Sequence, residues 1–169
     1  MRLFVSLFVL VSALSLIATV TSSSGAAPAV LGHGTPSISA SGTFTYTSST
    51  FNSIRSAGGN TIIDLSATVS YTGTFTGTST LQGTLILHPN GTANFQDVET
   101  FTGTVNGVPG TVTLRLDGHT DRAGVITARD VITSATGELA GLHGVLSEVA
   151  TLGADGPVGT YSGEIVAGS

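Results

Sequence analysis

Four acids sit where a strand-forming sequence should carry apolar side chains. Glu148 belongs to the row Leu146, Glu148, Ala150, Leu152, and Asp130 to the row Ile126, Ala128, Asp130, Ile132; Asp97 and Glu99 lie between Phe95 and Phe101. Alternate residues of a strand share a face, so each acid shares its face with apolar neighbours. Tyr46, Tyr71 and Tyr161 also fall on apolar rows. An acid beside a phenol on the dry side of a sheet can orient a carbonyl or hydroxyl group of a small apolar ligand, or exchange a proton with it. The candidate ligand-binding residues are therefore Glu148, Asp130, Tyr161, Tyr71 and Glu99. An unpaired buried carboxylate costs several kcal/mol, so such a group pairs, takes up a proton or faces a wet cavity. A register slip of one residue exchanges the two faces. The pattern alone favours that second arrangement, with the acids outside, in solvent or against Arg129 and Arg115.

Other chemistries find less support. His33, His88, His119 and His143 show no i, i+2 or i, i+4 pairing, and three of them adjoin Gly or Pro in expected turns, so they read as loop histidines and no metal site is expected. Without cysteine there is no thiolate nucleophile and no disulfide. The Gly-x-Ser-x-Gly elbow, the phosphate loop and the dinucleotide fingerprint are missing, so no cofactor is expected and hydrolase chemistry has no specific support.

The chain of 169 residues has a formal net charge of -5, and its 5 basic residues are all arginine. A surface of that sign repels phosphates, which argues against nucleic acid as a partner. With 23 glycines but no Gly-X-Y period, 40% hydrophobic residues and only 9% charged, neither collagen nor simple disorder fits. Residues 1–29 have the order of a secretory signal: Arg2, an apolar stretch over 3–20, then small residues ending in Ala27-Pro28-Ala29. Cleavage there gives a secreted, extracytoplasmic protein without stable membrane insertion. An uncleaved anchor is the alternative, since about 18 apolar residues is the lower limit for a span. Residues 30–39 read as a linker and 40–169 as a single domain.

That domain must be built from strands. Ile63, Leu65, Ala67, Val69 and Tyr71 alternate with Asp64, Ser66, Thr68 and Ser70, and the same period recurs at Val112, Leu114 and Leu116 and around Leu81, Leu85 and Leu87. Turn signals at Pro89-Asn90-Gly91, Asn106-Gly107, Asp117-Gly118 and 154–157 divide the chain into about eight strands, over 41–47, 61–74, 78–88, 92–101, 103 or 110–117, 125–134, 144–152 and 158–166. The Thr-rich stretch 72–80 reads as a hairpin with its threonines in water. Short connections favour an all-β, antiparallel up-and-down barrel of eight strands, which removes exposed edges; a β-sandwich is the alternative.

The segment GTVNGVPGTVTL at 103–114, followed by DGH at 117–119, TGELAGLHG at 136–144 and Tyr161, resembles the bacterial domain-of-unknown-function family thirty-two twenty-four. That family is similar to the allene oxide cyclase barrel and, more distantly, to dirigent proteins. The resemblance implies a lipocalin-sized barrel with room for an apolar lumen, and no particular reaction. Val108 replaces the Arg that often follows the hairpin glycine, and the chain is unusually Thr-rich. The functional expectation is an exported, non-catalytic barrel, monomer or small homo-oligomer, that takes a small apolar ligand in its lumen. The alternatives are a cyclase or isomerase using Glu148 or Asp130 with a tyrosine, and a structural or surface protein with a Thr-covered face.

Overall fold

The computed structural model describes residues 37–153 and 156–168. Eight strands follow in order: β1 (Ser37–Ala57), β2 (Asn60–Gly73), β3 (Phe75–Leu87), β4 (Ala93–Val105), β5 (Val108–Thr120), β6 (Val125–Gly137), β7 (His143–Leu152) and β8 (Pro157–Val166). Each pairs antiparallel with the next, and β1 returns to β8 from Ser37↔Val166 to Thr45↔Val158, which closes the ring into a barrel. The expected leader lies outside the described residues, as does the linker up to residue 36. β1 takes in the rest of that linker segment from Ser37.

Local sequence explains most of the ladder. At Asn106-Gly107 both residues have positive φ, 51° and 82°, and Val105 pairs with Val108 across them; this is the mirror-image two-residue turn whose twist matches a hairpin. The stretch 72–80 is a hairpin, with Thr72, Thr76, Thr78 and Thr80 exposed and Phe75 and Ser79 turned inward.

Two expectations need correction. β1 continues ten residues past its expected end at Thr47, because Thr47 and Asn52 are bulges opposite β2. Each bulge reverses the alternation, so a run of Ser, Thr and Asn hides a strand. Asp117-Gly118 is no turn but part of β5. Gly118 pairs with Phe95, whose ring covers it and occupies the space a side chain there would need. The chain reverses instead at Asp121, where Oδ1 accepts from the backbone N–H of Ala123 at 2.8 Å and of Val125 at 2.9 Å.

The barrel is filled unequally. At the end carrying the β2–β3, β4–β5 and β6–β7 turns, Phe44, Tyr71, Phe75, Phe101 and Tyr161 interlock with ring centroids 5.3 to 6.0 Å apart. Leu139 and Leu142, from the Gly-rich β6–β7 connection, are buried in the same cluster. The other end, with the β1–β2, β3–β4, β5–β6 and β7–β8 turns, is hollow.

Candidate functional site

Between the plugged end and the hollow end the barrel interior carries four carboxyl groups. Asp97 and Glu99 on β4, Asp130 on β6 and Glu148 on β7 all point inward and are 6%, 1%, 1% and 7% exposed. The outward arrangement favoured by pattern alone is therefore wrong. The registers Leu116↔Asp97, Leu116↔Asp130 and Ala128↔Glu148 align the acids with core leucine and alanine rows, and barrel closure leaves no freedom to slip.

Tyr71 ties this layer together. Its hydroxyl lies 3.1 Å from Glu99 Oε2 and 3.4 Å from Glu148 Oε1, and Ser79 Oγ donates to Glu99 Oε1. Burial is the first cause of raised carboxyl pKa values throughout. It pushes Asp97 up to about 7, with help from Glu99 and Asp117, and raises Glu99 against the lowering effect of its Ser79 and Tyr71 hydrogen bonds. Glu148 is also raised well above the usual range, by burial and then by the charges of Asp130 and Glu99. Glu148 and Asp130 are neighbours in this layer, and the charge of Asp130 helps to raise Glu148, so the two carboxyl groups titrate as a pair. Asp97 Oδ1 and Asp130 Oδ1 are buried with no hydrogen-bond partner among the described residues. Tyr46 lies within the field of all four acids and its hydroxyl is held strongly protonated, first by burial.

Above this layer is a cavity of about 700 Å³. Asp97 and Glu148 contribute to its floor and Tyr46, Phe95, Leu116 and Ile126 to its wall; Phe51, Leu87 and Leu152 form an apolar mouth, with Arg122 beside them. The volume is that of a small-molecule site, and the mixture of an apolar wall with a few convergent polar groups is characteristic of one. Among the described residues no group of three or more His, Asp or Glu is placed to hold a metal ion.

The expected site residues divide. Glu148 reaches the cavity directly; Glu99, Asp130 and Tyr71 lie in the acid layer, where Tyr71 is hydrogen-bonded to Glu148. Tyr161 is a correction. Its hydroxyl accepts from Phe75 N–H at 2.8 Å and donates to Thr72 O at 3.0 Å, so it fastens the β2–β3 turn within the plugged end. Asp97 and Tyr46 line the cavity although they are not among the five candidates read from sequence; their places on apolar rows are the signal that marks them. Nothing in the sequence marks Ser79. His88 reaches the cavity rim, with Nδ1 3.0 Å from Asn60 Oδ1 and Nε2 3.0 Å from Asn94 Nδ2; His119 is within β5 rather than a turn.

A closed antiparallel barrel of eight strands with an acid-floored cavity defines a class of protein by fold and site geometry. The chain belongs to the family described as "Protein of unknown function (DUF3224)", whose model matches residues 40–156. It is similar to the crystal structure of a protein of unknown function from that family from Shewanella oneidensis MR-1, with 16% sequence identity, a TM-score of 0.64, and coverage of 79% of this chain and 100% of that one. At that identity the likeness concerns the fold. No curated protein matches.

Proposed function

We propose that this protein is an exported, non-catalytic barrel that binds one small, mainly apolar molecule in its hollow half, with the ligand's polar group on Asp97 and Glu148. The observation that carries this reading is the cavity of about 700 Å³, whose apolar wall ends in two buried carboxyl groups. Unfilled space lined by Phe95, Leu116 and Ile126 forfeits packing that a ligand supplies, and each apolar group buried there contributes about 25 cal/mol per Å². The plugged half provides the rigid base. An open cavity also argues against a purely structural barrel. The leader-like residues 1–29 support export, which would deliver the cavity to extracytoplasmic ligands.

Tyr71 between two buried carboxyl groups favours one second reading, a proton-transferring isomerase or cyclase. The two readings separate on turnover: a carrier returns its extracted ligand unchanged.

The test is uptake of the uncharged fluorophore Nile red by the purified protein. Saturable, one-to-one binding with a blue-shifted emission is expected, and Ala93→Phe, which builds a ring into the cavity from the start of β4, should weaken it at least tenfold. Absence of uptake, or uptake indifferent to Ala93→Phe in a folded variant, would overturn the proposal.

A further inference from the structure

Among the described residues no arginine forms an ion pair with the acid layer. Among the described residues the arginines are Arg55, Arg115, Arg122 and Arg129, all exposed, and the chain contains no lysine. Arg55 is committed outside the barrel to Asp64, 2.7 Å away. Arg122 stands at the cavity mouth beside Asp121, whereas Asp97 lies four residues further down β4 than Ala93 at the rim, about 13 Å along the strand at the usual rise. Arg129 is on the outer face and is the weakest of the influences on Asp130.

Within the layer the hydrogen-bonding capacity is unevenly used. Glu99 is satisfied by Ser79 and Tyr71. Asp97 is more than nine-tenths buried and borders the cavity, and its Oδ1, packed over Gly83 in the barrel wall, has no hydrogen-bond partner among the described residues; Glu148 borders the cavity from β7. Glu148 receives one long hydrogen bond, from the Tyr71 hydroxyl at 3.4 Å, but among the described residues no arginine pairs with either group, and the described acids do not converge as metal ligands. A buried carboxylate without a cation is strongly disfavoured, and an incoming cation that removes this cost is favoured selectively.

We infer that the occupant of the cavity is a lipophilic amine, its ammonium group held by Asp97 and Glu148 and its apolar body against Phe95, Leu116 and Ile126. The inference rests on the proposed ligand-binding function and specifies its ligand class. Tyr46 and Phe95 add aromatic faces near the ammonium, which a cation prefers and a carboxylate does not. The exclusion works in the other direction too: a fatty acid would add another acid to a floor without a cation, where burial opposes its ionisation as it does that of Asp97 and Glu148.

The experiment is displacement of Nile red at pH 7.5 by three probes that differ only in the head group, n-decylamine, 1-decanol and decanoic acid. Decylamine should displace at least tenfold more tightly than decanol, and decanoic acid should be weakest. Asp97→Asn should bring the amine-to-alcohol ratio down to about one, and the wild-type series stands without that variant should it fold poorly. Equal displacement by amine and alcohol, or tighter binding of the acid, would overturn the amine assignment while leaving the ligand-binding function intact. Failure of Nile red itself to bind would overturn both.

Discussion

The carboxyl group of Asp97 stands over Gly83, its partner across the β3–β4 ladder, in the space a side chain at position 83 would take. The glycine is thus what allows an acid to fold down inside the barrel wall. A Cβ at position 83 would also come within 2.8 Å of Gln96 O. Gly83→Ala is expected to destabilise by about 1 to 3 kcal/mol, measured by urea denaturation. Part of that cost comes from displacing Asp97, so the penalty should be smaller in an Asp97→Ala background; strict additivity of the two changes would contradict the packing relationship.

The pH dependence of stability follows from the inward acids. Asp97, raised to about 7 in the folded state, holds a proton between its unfolded value and about pH 7 that the unfolded chain has released. Stability therefore falls as pH rises through that window, by up to about 1.4 kcal/mol per pH unit for each such proton. Glu99, Asp130 and Glu148 shift in the same direction. Asp64 acts oppositely: hydrogen bonds from Ser53, Thr84 and Arg55 lower it to about 2, and its contribution is present above its unfolded value and lost as pH falls towards 2. Thermal denaturation across pH should place the maximum at about 3 to 4, with Asp97→Asn flattening the decline between about pH 4 and pH 7. A maximum at pH 8 would contradict the burial of the acids.

Tyr161 and Tyr71 should respond differently to the loss of their hydroxyl groups. Tyr161→Phe leaves the Phe75 N–H buried without its acceptor, a loss of about 1 to 3 kcal/mol in urea denaturation. Nile red affinity should remain within twofold of wild type, because the side chain belongs to the plugged end. Tyr71→Phe is expected to alter affinity, since Glu148 at the cavity floor loses its phenolic partner.

A turn substitution checks the hairpin chemistry. Gly107 has φ of 82°, and Gly107→Ala should cost about 1 to 2 kcal/mol in stability without affecting the cavity at the opposite end. Equal stability would contradict the mirror-image turn.

The strands were legible where alternation is unbroken, as at Ile63 to Tyr71 and Val112 to Leu116, and so were the rows that carry the acids. Which way those rows face was not. That depends on eight ladders closing at once, and a bulge at Thr47 or Asn52 is invisible in a sequence of Ser, Thr and Asn. Gly118 looks like half of a turn dipeptide because nothing local reveals the ring of Phe95 above it. For Tyr161 the row was informative but the hydroxyl's partner was not, since Phe75 and Thr72 are brought to it only by closure of β8 on β1.

The most direct measurement is a Nile red titration followed in backbone amide ¹⁵N–¹H spectra. Shifts are expected at the cavity, in residues such as Leu87, Phe95, Asp97, Leu116, Ile126 and Glu148, while Phe75, Leu139 and Tyr161 at the plugged end stay fixed. Shifts confined to the outer face, or equal movement at both ends, would contradict a ligand site in the hollow half of the barrel.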